Sequence, residues 1–140
     1  MPGITNLDVL LSSMEPQLQK EEYIFSTFPD TEIIDKLYLK PICCFYEKEG
    51  LTLIIKKEMA DRNEVKYASV FSLISLTIHS SLDAVGLTAA ISRKLADKEI
   101  SANVVAAYFH DHVFVPKEKA KAAIEALYEL QQESLKKVNA

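Results

Sequence analysis

The stretch Thr77 to Pro116, TIHSSLDAVGLTAAISRKLADKEISANVVAAYFHDHVFVP, decides how the 140 residues are read. It opens on the end of an apolar, β-branched run, Ser69 to Ser80, whose alternation predicts a strand. Val70, Ser72, Ile74, Leu76 and Ile78 point one way, toward covering helices. Phe71, Leu73, Ser75, Thr77 and His79 form a mixed opposite face. A loop with Asp83 and Gly86 follows. Leu87, Ile91 and Leu95 then recur at i, i+4 and i+8, with Ala84 on the same stripe, which predicts an amphipathic helix. Asp83 is the candidate N-cap or first-turn anion. Ile100–Phe109 reads as a strand, His110-Asp111-His112 as a tight turn and Val113–Pro116 as a short strand. Pro116 opens a last helix with Ala120, Ala123, Ile124 and Leu127 inward. The polar tail from Gln132 is expected to fray.

Working back, Ile4, Leu7, Leu10, Leu11 and Met14 have helical spacing, with Thr5 or Asn6 as N-cap and Pro16 as terminator. Glu22–Phe28 reads as a strand and Pro29–Pro41 as irregular. Ile42–Tyr46 and Leu51–Lys56 form a hairpin whose turn ends at Gly50. Glu58–Lys66 has room only for a short helix. The order β-irregular-β-β-α is thus followed by β-α-β-β-α, a weak repeat of half the chain.

This order is that of a ferredoxin-like unit. In that fold the strand ending at His79 and the strand starting at Ser101 run parallel. The strand after His112 lies between them. His79, His110 and His112 should then meet at one end of one sheet, beside the loop Ser80–Gly86. A helix start there attracts carboxylate or phosphate. Gly86 allows close approach, Ser80 and Ser81 hydrogen-bond, and Asp83 accepts an ammonium. The same residue types also serve as ordinary turn and cap residues.

Composition excludes several partners. Net charge is −4, with 16 Lys and Arg against 20 Asp and Glu. The cations are scattered, which argues against nucleic acid and an anionic membrane surface. No apolar run reaches the length of a span, and the first residues lack a signal-peptide pattern, so a cytoplasmic protein is expected. Cys43 and Cys44 are adjacent, show no zinc spacing, and read as reduced, near-core residues.

From about Ser69 to Tyr128 the chain resembles an ACT domain, most closely those of aspartate kinases. The resemblance rests on a strand ending in HS, a Gly before an apolar residue, a helix ending in LADKEI, a strand, a hairpin, and AKAAIEAL. The first half, EYIFSTF to LKPICCFYEKEGLTLIIKKE, is similar to the partner module of small stand-alone bacterial tandem-ACT proteins. This implies an α+β fold of two pseudo-repeated βαββαβ-type units. We expect an N-terminal unit over 1–68, with its leading helix, and a C-terminal unit over 69–140. The last helix is followed by no fourth strand. The units are therefore expected to be intertwined, with Glu22–Phe28 completing the second sheet.

The resemblance also implies function: a non-catalytic regulatory module that binds an amino acid, without cofactor, as a homodimer. Carried over, the ligand contacts are His79, Ser80, Ser81, Asp83, Gly86 and Leu87 from one unit. Ser101, Ala102 and Asn103 come from its neighbour. The aspartate-kinase pattern often has Asp where this chain has Asn103, which argues against cationic ligands. Three other readings compete. They are a metal site of His79, His110 and His112, a Ser-His-Asp hydrolase drawn from Ser80 or Ser81, and an interaction module without ligand. No nucleophile-elbow pattern supports the hydrolase.

Overall fold

The computed structural model describes residues 6–78 and 85–139. Two compact units emerge. One joins Met1–Gln19 to Ser72–Ala140; the other is the continuous segment Lys20–Phe71.

The first unit begins with α1, Leu7–Ser12. Asn6 caps it, its Oδ1 accepting from the Val9 N–H at 3.1 Å. Leu10, Leu11 and Met14 are buried in the core of this unit. Strand β1, Pro16–Phe28, follows, and its first residues, Pro16–Gln19, belong to the first unit. Pro16 therefore does more than stop a helix. It opens a strand that begins well before the expected Glu22, at a position where a proline is tolerated.

After the second unit the chain returns as β4, Phe71–Leu76, then α3, Leu87–Asp97. Next come β5, Asn103–Ala106, and β6, Asp111–Pro116. A 3-10 turn over Lys117–Lys119 leads into α4, Ala120–Val138. The strand order is β1-β4-β6-β5, so β6 lies between β4 and β5 as expected. This is the ferredoxin-like order, with the fourth strand supplied from the start of the chain. The residues doing so are Pro16–Gln19, just before which the Thr77 N–H donates to the Met14 carbonyl at 3.1 Å; the expected Glu22–Phe28 lies in the other unit. Ile74, Leu76 and Ile78 join Val113 and Val115 against Leu87, Ile91, Leu95, Ala123 and Leu127. α4 also runs through Gln132–Val138, where fraying was expected. Ser134 is buried there, and the Gln131 amide donates to the Ser12 carbonyl of α1 at 3.0 Å.

The second unit has strand order β2-β3-β1, built from β2, Cys43–Glu47, β3, Gly50–Lys56, and the later part of β1. Leu51, Leu53 and Ile55 alternate onto a core with Ile24, Leu39 and Ala60. Ile33–Leu39, irregular in sequence, forms a 3-10 helix, and α2 spans Lys57–Arg62. Gly50 is required where it stands: a Cβ would lie 3.0 Å from the Phe28 carbonyl oxygen, at φ +151°. Both cysteines are free, but Cys44 is exposed and Cys43 half-buried, because β2 is an outer strand with an open face. They are not core residues. Burial, with Cys44 beside it, pushes the Cys43 thiol pKa up, so its thiol form is favoured.

Candidate functional site

The expected site lies where β4 ends and α3 begins, in the first unit. His79, Ser80, Ser81 and Asp83 fall outside the described residues. What borders them is defined. β4 leads to Ile78, which is buried. On the far side Gly86 is the N-cap of α3, in left-handed conformation at φ 96°, without a side-chain cap. The Gly86 carbonyl accepts from the Ala90 N–H at 2.9 Å. The N-cap position is thus Gly86, three residues beyond the expected Asp83. A Cβ at residue 86 would approach the Leu7 side chain to 3.3 Å, so glycine fits both the φ and the space. The first N–H groups of an α-helix have no intrahelical acceptor, so this start is suited to an anion. Leu87 is buried and its side chain belongs to the core.

Ser101, Ala102 and Asn103 lead into β5. Ser101 and Asn103 are exposed and Ala102 is half-buried. Asn103 pairs with Phe114 across the hairpin, and its amide donates to the Phe114 carbonyl at 3.4 Å. The side chain is thus held at the entry of the strand, where a hydrogen bond but no charge can be offered.

The topology brings two of the three histidines to the β4 end. The His110 Nδ1 lies 3.2 Å from the Ile78 carbonyl oxygen. The His112 Nδ1 lies 3.0 Å from the Ser75 hydroxyl. His112 is part of β6, and the turn is Ala107–His110, closed by the Ala107 N–H on the His110 carbonyl at 3.0 Å. Burial pushes the His112 pKa down, helped by His110 and opposed by Asp111. Burial pushes the Asp111 carboxyl up, opposed by both histidines. Both shifts favour the neutral forms. The two imidazoles thus hold different partners through Nδ1. Among the described residues no three of His, Cys, Asp and Glu are grouped to hold a metal. The Ser75–His112 pair was not singled out from sequence. Its signal was present, since Ser75 breaks an apolar strand on the face opposite the helices.

Comparison with known proteins follows this geometry. A family model described as ACT domain matches residues 2–72, and a second ACT-domain model matches residues 69–129. The chain belongs to the ACT-domain family. ACT domains are regulatory, ligand-binding modules without catalytic activity of their own. A crystal structure of a Vibrio cholerae protein of unknown function, reported as a possible transport protein, is 50% identical. It has a TM-score of 0.82, covering 89% of this chain and 95% of that one. The ligand-free regulatory subunit of aspartate kinase from Thermus thermophilus has a TM-score of 0.65 at 12% identity, covering 84% and 97%. An Agrobacterium tumefaciens protein has a TM-score of 0.66 at 14% identity, covering 83% and 87%. The last two share the fold alone at such identity. No curated protein matches the sequence significantly. No helix among the described residues is long and apolar enough to cross a membrane.

Proposed function

We propose that this ACT protein is a sensor for an amino acid, acting as a homodimer in the cytoplasm. The ligand is held at the turn 79–88 of one unit and by Ser101, Ala102 and Asn103 of a neighbouring unit. The observation that carries the reading is the start of α3. A left-handed Gly86, rather than a capping side chain, opens the helix that follows β4. The α-carboxylate goes to the N–H groups of that start. Asp83 takes the ammonium, and Ser80, Ser81, His79 and Asn103 supply hydrogen bonds. The signal passes onward because the ligand favours one assembly or partner-bound state over another.

A thermal-shift panel of the twenty amino acids tests this. A ligand at about 100 times its Kd adds about 2.7 kcal/mol to the folded state. One amino acid should raise the melting temperature, and Ser81→Ala, Asp83→Ala and Asn103→Ala should each reduce the effect. A flat panel would favour a second reading, an interaction module without ligand. Its support is the open outer strand β2, with Phe45 and Tyr46 exposed.

A further inference from the structure

β2 is the outer strand of the second unit, and nothing in its sequence protects its open side. Sheets blunt such edges with Lys, Pro, bulges or very short strands. β5, the outer strand of the first unit, follows that rule at four residues. β2 pairs with β3 in an unbroken register from Cys43 to Glu47, and Cys43–Tyr46 contains neither Lys nor Pro.

Large apolar side chains gather at this edge. Ile42, Phe45 and Tyr46 of the strand region, and Ile34, Leu37 and Tyr38 of the 3-10 helix, are each between 49% and 72% exposed. They belong to one patch. The Tyr46 hydroxyl accepts from the Ile33 N–H at 2.9 Å and donates to the Glu32 carboxylate at 3.0 Å, which ties β2 to the start of the 3-10 helix. Lys40 and Pro41 alone separate the end of that helix from Ile42. At about 150–250 Å² for a large side chain, the six leave on the order of 700 Å² open. The largest apolar patch on a typical monomer is about 300–600 Å². Each partner in a standard interface gives about 800 Å².

The charges around the patch differ between its ends. Lys40 precedes the strand and is exposed. At the other end Glu32, Glu47 and Glu49 outnumber Lys36 and Lys48. A strand laid antiparallel to β2 by a two-fold axis brings each basic end to the other copy's acidic end. A parallel arrangement would set like ends together.

We infer that this face, the open side of β2 with the exposed residues of the 3-10 helix, receives a second copy of the chain. Two β2 strands pair antiparallel about a two-fold axis, with Phe45 near that axis and Lys40 of each copy beside Glu49 of the other. The inference rests on the homodimer of the reading above and names its surface.

Sedimentation velocity of the full chain over a micromolar dilution series tests it. The wild-type chain should be a dimer, and Phe45→Lys should weaken it at least about tenfold. Ile34→Lys, which leaves the strand untouched, should weaken it as well. Lys40→Glu should weaken it several-fold, and adding Glu49→Lys should restore it. All of these positions are exposed, so an unchanged circular dichroism spectrum serves as the folding control. A dimer indifferent to both Phe45→Lys and Ile34→Lys overturns this inference alone. A Lys40→Glu chain that dimerises as before excludes the antiparallel pairing. A wild-type monomer throughout removes the homodimer too and leaves the patch to a different protein. Amino-acid sensing is decided separately by the thermal-shift panel.

Discussion

His112 is a half-buried imidazole with a serine hydroxyl for company and a second histidine two residues away. Its folded pKa is depressed below the ordinary 6.5 by burial first and His110 second. The unfolded chain therefore takes up the proton first as pH falls through that value. Stability is lost on acidification from there down to the folded pKa. Asp111 acts in a different window and with opposite sign. Its folded pKa is raised above 3.8, so its contribution falls as pH rises from there through the folded value. Melting temperature should thus drop between about pH 7.5 and about pH 5.5, where histidine dominates. His112→Asn keeps a polar partner for Ser75 but does not titrate, and should flatten that drop. A variant with the wild-type slope would show that the pair does not couple to folding. The strand alternation around Ser75 was readable from sequence. Its partner was not, because it lies 37 positions along the chain and the two strands must first be folded into one sheet.

At the scale of elements, α3 ends in a motif whose terminator is not the favoured residue. The Glu99 N–H donates to the Ala96 carbonyl at 2.9 Å, and the Ile100 N–H to the Leu95 carbonyl at 2.9 Å. Ile100 and Leu95 are both buried, completing a Schellman end. Glu99 must take φ 59° to allow it. A left-handed non-glycine residue costs roughly 1–2 kcal/mol, part of which a glycine would recover. Glu99→Gly should therefore raise stability by about 0.5–1 kcal/mol in chemical denaturation. A loss would mean that the side chain has a role at the helix end. The sequence revealed α3 because Leu87, Ile91 and Leu95 set its period. It put the candidate N-cap or first-turn anion at Asp83 rather than the N-cap position at Gly86, because capping propensity favours Asp over Gly, and the Leu7 side chain that Gly86 accommodates comes from the far end of the sequence. The tail of α4 looked frayed for a related reason. Its residues are mostly polar, while the bond from Gln131 to Ser12 spans almost the whole chain.

At the scale of the molecule, the first unit is made from two separated segments. Leu10, Leu11 and Met14 fill the same core as Ile74, Ile91 and Leu127. A fragment of residues 69–140 lacks those three side chains and the strand supplied by Pro16–Gln19. Truncations of this size in a core cost several kcal/mol each, comparable in sum to the stability of a domain. That fragment alone should show no cooperative unfolding transition. Mixing it with a peptide of residues 1–19 should restore one, read by circular dichroism on heating. Cooperative unfolding of the bare fragment would show the N-terminal segment to be dispensable. Family order and repeat were legible here, and so was the missing fourth strand. Which residues supply it was not. Between Gln17 and Glu22 the sole apolar side chain is Leu18, too little alternation to reveal a strand.

The division of the first unit between two distant segments sets a timetable for synthesis. The second unit, Lys20–Phe71, is complete as soon as residue 71 leaves the ribosome. The leading helix emerges before it, yet its partners on α4 are made only after it. For most of translation, at about 5–20 residues per second, Leu10, Leu11 and Met14 wait without their core. A nascent chain stalled before α4 should expose them to ribosome-associated holdase chaperones, and release of the finished helix should end that dependence.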